Sequence, residues 1–213
     1  MNTLEAKKTA KKLIDLLADW DFEICLERPH KWMKEHQDLM EVRDISIFYG
    51  ATKVVVDFEE QNFVLKFDMH RAIGLCALEA ANYENAVSAG LAEYFARTYY
   101  LGEYFGSTVS IQEKVVVDAD ENHCSFVNYY TSDGESEEDA DWMVDNEMGD
   151  YERFMAIFTD KDYKLTDKAA NWILDEIDGY QFDADFHEGN FGRTLEGDMV
   201  LFDFSGYSYF GRQ

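Results

Sequence analysis

Asp185 and Asn190 stand five positions apart in the stretch Asp183-Ala184-Asp185-Phe186-His187-Glu188-Gly189-Asn190, and Asp203 follows the apolar run Met199-Val200-Leu201-Phe202. Gly192 and the pair Gly197-Asp198 supply turn chemistry between them. One use fits three such groups. A carboxylate accepts the proton of an attacking hydroxyl. An amide oxygen and a second carboxylate hold Mg2+ against the phosphates of a nucleotide. Asp185 is then the base, and Asn190 and Asp203 are the metal ligands.

Asp-x-x-x-x-Asn followed by a strand-borne Asp resembles the catalytic loop and metal-binding Asp of the protein kinase-like superfamily. In detail, Asp185-Phe186-His187-Glu188-Gly189-Asn190 is most similar to its minimal phage and bacterial kinases, aminoglycoside phosphotransferases and choline-kinase-like enzymes. The resemblance implies ATP and Mg2+ as cofactors. It also implies an α+β, two-lobed fold. An antiparallel sheet with one main helix forms the first lobe, and a short, truncated helical lobe follows.

A first lobe of that kind needs strands with a cation. Ile45–Tyr49, Lys53–Phe58 and Phe63–Phe67 are apolar and β-prone, separated by Gly50-Ala51-Thr52 and by Glu59–Asn62. By resemblance, Gly50, Ala51 and Thr52 form the nucleotide-positioning turn, and Lys66 in the third strand pairs with the phosphates. The plain alternative for Lys66 is an edge-strand lysine that keeps the sheet soluble. Ala72 to Ala96 reads as a helix or a pair broken near Gly90, with Glu79, Tyr83, Val87 and Leu91 at helical spacing. The resemblance implies a glutamate there that pairs with Lys66. Glu79 is the choice, flanked by Leu75, Leu78 and Tyr83. Glu84 is the runner-up, and Glu93 faces solvent. Thr98–Tyr104 and Thr108–Val115 read as a hairpin turning at Gly106-Ser107. The segment containing Gln112, Glu113 and Val115 is then the hinge whose backbone meets adenine.

Composition bounds the rest. The chain has 213 residues, 46% apolar and 15% aromatic, with one Pro, enough for a sizeable core. Three cysteines, Cys25, Cys76 and Cys124, show neither a disulfide framework nor zinc spacing. No apolar run spans a bilayer, and the first residues lack the apolar centre of a signal peptide, so the expectation is a cytoplasmic protein without a membrane partner. The net charge of -25 opposes direct nucleic-acid binding and suits a basic partner. Val116 to Glu152 holds no Lys or Arg. The acidic loop Asp133–Asp139 within it would select a basic substrate at the cleft mouth.

Outside these stretches, Leu4–Trp20 reads as an amphipathic helix with Leu13, Leu16, Leu17 and Trp20 on one face. Phe22–Leu26 reads as a strand, Arg28-Pro29-His30 as a turn, and Trp32–Leu39 as a short helix. Trp142, Met143 and Met148 mark another helix. Thr166 caps a helix ending at Gly179, whose apolar face is Ala169, Trp172, Ile173 and Ile177. Tyr180–Phe182 is the strand that delivers Asp183 and Asp185. The resulting divisions are an N-terminal helical extension (1–44), a first lobe (45–115) and a second lobe with the catalytic loop (116–213).

Three departures from the family stand out. Asp183 occupies the place of a loop-bracing His. Asp203-Phe204 is followed by Ser205 rather than Gly. The substrate-holding helices that follow the metal-binding Asp in full kinases are not in this sequence. The expected function is transfer of the γ-phosphoryl group of Mg-ATP to a hydroxyl acceptor, such as Ser or Thr of a basic protein. Two other classes fit the same residues. One is a pseudokinase-type nucleotide-binding module. The other is an acidic inhibitor that imitates the charge of DNA.

Overall fold

The computed structural model describes residues 3–50, 52–69, 74–178, 182–183, 186–204 and 207–208. No helix among the described residues is long and apolar enough to cross a membrane. The chain is mixed α and β and divides into two units, residues 1–92 with 96–114, and residues 93–95 with 115–213.

The first unit opens with four helices: α1 (Thr3–Ala18), α2 (Phe22–Glu27), α3 (Pro29–Glu35) and α4 (Gln37–Val42). Its strands are β1 (Ile45–Tyr49), β2 (Lys53–Phe58), β3 (Phe63–Asp68), β4 (Thr98–Tyr104) and β5 (Ser107–Glu113), with α5 (Leu75–Ala89) inserted between β3 and β4. The sheet is antiparallel in the order β1-β2-β3-β5-β4. The β4–β5 turn is tighter than the sequence indicates. Phe105 and Gly106 both take positive φ, 55° and 71°, and Ser107 already belongs to β5. Two consecutive left-handed residues suit the twist of a two-residue hairpin.

This sheet has two chemically different faces. Val54, Val56, Phe58, Phe63, Leu65, Phe67, Val109 and Ile111 form one core with Ala6, Ala10, Ile14 and Leu17 of α1, Phe22, Cys25 and Leu26 of α2, and Trp32 of α3. Phe22 lies 5.5 Å from Trp32 and 4.9 Å from Phe67, ring to ring, and so joins helices to sheet. The alternate positions, Lys53 on β2, Lys66 and Asp68 on β3 and Ser110 and Gln112 on β5, carry buried polar groups. Side chains of a strand point alternately to opposite faces, so one sheet serves both environments.

Several local expectations change here. Phe22–Leu26 is helical, not a strand: Phe22, Cys25 and Leu26 are buried while Ile24 is exposed, a spacing of three and four. Short apolar runs fit both periods, and packing decides between them. Pro29 begins α3 instead of making a turn, in the first helical position where its missing N–H costs nothing. Trp32–Leu39 divides between α3 and α4, because His36 leaves helical geometry between them. The buried stripe of α1 centres on Ala6, Ala10, Ile14 and Leu17, with Leu13, Leu16 and Trp20 only partly buried beside it. Val87 is half exposed although it shares the spacing of Glu79 and Tyr83.

The second unit contains β6 (Val115–Val116), α6 (Ala119–Thr131), α7 (Glu137–Asn146), α8 (Asp150–Ile157), α9 (Tyr163–Asp178), β7 (Phe182–Asp183), β8 (Phe191–Thr194), β9 (Met199–Leu201) and β10 (Tyr207–Ser208). Strands β6, β8 and β9 make one small antiparallel sheet, and β7 pairs with β10. Phe126, Phe154, Phe158, Phe186 and Phe191 interlock at ring separations of 4.7 to 6.5 Å. Helix α9 starts three residues before the expected cap. Asp162 Oδ1 accepts the Leu165 N–H at 3.0 Å, and Thr166, inside the helix, donates back to the Asp162 carbonyl and is buried. Gly179, the expected stop, and Tyr180 and Gln181 of the expected strand lie outside the described residues.

The acidic loop Asp133–Asp139 runs into α7 at Glu137. Ser136 caps α7 by accepting the Asp139 N–H, and Glu137, Glu138 and Asp139 occupy the first turn. Carboxylates there face the positive end of the helix dipole, which gives this charge a local structural use.

Candidate functional site

In the first unit the polar sheet face is closed by α5, whose Glu79 is fully buried. Lys66 Nζ donates to Glu79 Oε1 at 2.8 Å. Gln112 Nε2 also donates to Glu79 Oε1, at 3.0 Å, and to Thr98 Oγ1 at 2.8 Å, while Gln112 Oε1 accepts from Lys66 at 3.2 Å. The glutamate picked from helical spacing is therefore the one the fold brings to Lys66. Glu84 is exposed, and Glu93 pairs with Lys161 in the second unit. Lys66 is not an edge residue. It lies in a strand paired on both sides, opposite Val55 and Ser110. The Ser110 hydroxyl is buried on the same face with no hydrogen-bond partner among the described residues.

The sequence reading missed Lys53. It is buried at the start of β2, and its Nζ lies 3.1 Å from Glu79 Oε2. Both oxygens of one carboxylate thus serve an ammonium. The available signal was the alternation of Lys53-Val54-Val55-Val56 against Val64-Leu65-Lys66-Phe67, which sets both lysines opposite the oily side.

Asp68 shapes the start of α5. Gly74, at φ 78°, offers no side-chain cap, and Asp68 Oδ1 accepts the Cys76 N–H at 3.0 Å while Thr108 Oγ1 donates to Oδ2. A carboxylate from a neighbouring strand thus satisfies a free donor of the helix end. Burial, and next the charge of Asp68, push the Cys76 thiol well above its usual range, so it packs as an inert side chain.

The turn expected to face phosphates is held at both ends. The Gly50 N–H donates to the Lys53 carbonyl at 3.0 Å, and the Thr52 carbonyl accepts from Met69 N–H at 2.8 Å. Ala51 lies outside the described residues. Gln112 and Glu113 are the last two residues of β5. Gln112 pairs with both Val64 and Thr98, and the Glu113 N–H donates to the Arg97 carbonyl at 2.9 Å while its carboxylate bonds Arg97. Strand β5 runs through both positions and takes up their backbone groups. Val115 pairs with Thr194 in β6.

In the second unit, Asn190 and Asp203 come to the same end of the β8–β9 hairpin. Phe191 pairs with Leu201, and the Asn190 carbonyl accepts the Phe202 N–H at 3.0 Å. Asn190 is buried and Asp203 half-buried. Phe204 is buried against Phe95, at 5.2 Å between rings. Asp185 lies outside the described residues, as does Ala184.

The loop from Phe186 to Asn190 is pinned by groups that sequence reasoning did not find. Asn122 Nδ2 donates to the carbonyls of Glu188 (2.7 Å) and Phe191 (3.0 Å). Arg153 Nη1 donates to the Phe186 carbonyl at 3.0 Å, and Asp150 Oδ1 accepts the Phe186 N–H at 3.1 Å. His187 Nδ1 accepts the Gly189 N–H at 3.0 Å and so braces the loop locally. These partners are 33 to 69 residues away except for His187, so no local motif announces them. Asn122 is almost fully buried. Replacing it with Ala strands two carbonyls, and we expect a loss of about 1–3 kcal/mol, read as a lower urea midpoint with unchanged slope.

Amide and carboxylate oxygens such as those of Asn190 and Asp203 suit a hard cation like Mg2+. Among the described residues, no group of three or more His, Cys, Asp or Glu is placed to hold a metal. The chain matches no protein-family model, no curated protein and no solved structure.

Proposed function

We propose that this chain is an ATP-dependent phosphotransferase of the kinase-like type, moving the γ-phosphoryl group of Mg-ATP to a hydroxyl acceptor. The observation that carries the reading is the buried Lys66–Glu79 pair at 2.8 Å. Its setting supports the same reading: a three-stranded meander, one inserted helix, and a hairpin whose second strand returns beside the lysine-bearing strand. A buried ion pair gains little net stability over apolar residues of the same shape. Net stability gives little reason for the pair, and binding an anionic ligand supplies one beside the alignment of the strands.

In this reading Lys66 donates to phosphate oxygens and Glu79 fixes its position. Asn190 and Asp203 hold Mg2+, which when bound neutralises charge on the phosphates. Asp185 orients the acceptor hydroxyl and takes its proton. A carboxylate of ordinary basicity serves, because the proton leaves late in a loose transition state. The acidic surface then favours a basic protein as acceptor.

The first test is a thermal shift. ATP at a hundredfold excess over Kd should stabilise the protein by about 2.7 kcal/mol, and only with Mg2+ present. No Mg2+-dependent shift overturns the reading. Labelled ATP then follows transfer to the protein itself or to a basic protein. Binding without transfer would place the chain with pseudokinases. Salt-sensitive capture of a basic DNA-binding protein, indifferent to ATP, would favour the charge mimic.

A further inference from the structure

Helices α6 and α7 of the second unit leave an open groove of about 810 Å³ between them. His123, Val127 and Thr131, each one turn after the last, line it from α6, and Glu137, Glu138 and Asp141 line it from α7. Both helices are anchored elsewhere, through the buried Phe126, Ala140 and Val144. The groove is apolar as well as acidic: Val127 is half-buried in it, and Trp142, next to Asp141 on α7, is 56% exposed. Tryptophan is enriched where proteins meet. The carboxylates of the groove meet one basic side chain, His123, whose Nε2 lies 2.8 Å from Asp141 Oδ1. Val116 to Glu152 holds no Lys or Arg, and neither Glu137 nor Glu138 pairs with a lysine or arginine among the described residues. The dipole of α7 accounts for carboxylates in its first turn, but not for Asp141 in the second or for the bare indole beside it.

We propose that the α6–α7 groove docks a short basic segment of a partner protein. Its Lys or Arg side chains meet Glu137, Glu138 and Asp141, and an apolar side chain between them meets Val127 and Trp142. His123 to Thr131 covers about 12 Å of helix, room for roughly two turns of a docked helix or four extended residues. Charge complementarity names the occupant. A net charge of -25 draws a basic protein in from a distance and repels nucleic acid and further copies of this chain. The inference stands on the groove and goes beyond the phosphotransferase reading, so neither falls with the other.

The test uses the whole chain and a fluorescent synthetic peptide of Leu, Ala and Arg, with a counterpart that carries Glu for Arg. The Arg peptide should bind, less tightly as salt rises, and the Glu peptide should not. Combining Glu137→Gln, Glu138→Gln and Asp141→Asn should weaken the Arg peptide about tenfold or more. Removing the same charge at three exposed carboxylates of the first unit, by Asp15→Asn, Asp19→Asn and Glu23→Gln, should leave its affinity near wild type. Trp142→Ala should weaken it without any change of charge. Equal losses from the two triple variants would mean that the peptide follows net charge alone, and would overturn the groove. So would failure of the Arg peptide to bind. Should the groove variant not fold, Cys124 in the wild type decides, because it is the exposed thiol that lines the groove, while Cys25 and Cys76 are buried. Saturating Arg peptide should slow alkylation of Cys124, and an unchanged rate refutes the docking. Self-association of the chain that Lys8→Glu with Lys11→Glu abolishes would make a second copy the occupant, and overturn the assignment to a partner protein.

Discussion

Replacing Glu79 with Ala should cost about 3–5 kcal/mol, a large part of the ~5–15 kcal/mol that holds a typical domain together. The side chain is fully buried, and its removal leaves Lys53 and Lys66 facing a cavity lined by Gln112 and Thr98. Weakening the pairing of a buried ammonium costs more than a lost apolar contact, and here two ammoniums lose a shared carboxylate together. Urea denaturation followed by circular dichroism checks this. A cost under about 1 kcal/mol would mean that the pair is solvated like a surface bridge. The same physics expects a reversal when the charges go as a set. Lys53→Met, Lys66→Met and Glu79→Leu combined should regain most of the loss, and that triple variant should no longer bind ATP.

Asp185→Asn should lower phosphoryl transfer by about 100- to 10,000-fold while leaving Mg-ATP affinity near wild type. The substitution keeps shape and removes only the carboxylate proposed as proton acceptor. Asp203→Asn should behave differently: on the proposed reading it removes a metal-ligand charge, so Mg2+-dependent ATP binding itself should weaken. Single-turnover transfer and equilibrium binding separate the two. Unchanged transfer in Asp185→Asn would remove Asp185 from the reaction. Unchanged Mg2+ dependence in Asp203→Asn would remove Asp203 from the metal site.

The strands were readable because β-prone apolar runs stand between clear turn residues. Ile45–Tyr49, Lys53–Phe58 and Phe63–Phe67 were placed within a residue of their observed bounds. Glu79 was legible for a related reason, since a helix with Leu75 and Tyr83 inward puts position 79 inward too. Phe22–Leu26 was not legible, because five residues satisfy a strand and a helix alike until Trp32 and Phe67 pack around them. The braces of the Phe186–Asn190 loop were hidden for another reason. Asn122, Asp150 and Arg153 look like ordinary polar residues of helices until the chain folds them against distant carbonyls and an N–H. Lys53 was passed over because a lysine at a strand's first position is normally solvated, and only the covering helix makes it a buried group.

The contrast between the two sides of the five-stranded sheet also governs how its strands find their partners. If β3 slid by one position against β2 and β5, every side chain would turn over. Lys66 and Asp68 would be driven among Phe22, Trp32 and Ile14, and Leu65 and Phe67 would lie against the Glu79 carboxylate. Such a misalignment loses hydrophobic burial and desolvates charge at once. The ionic residues beneath α5 therefore act as proofreaders of strand alignment, a service they render whatever the protein binds.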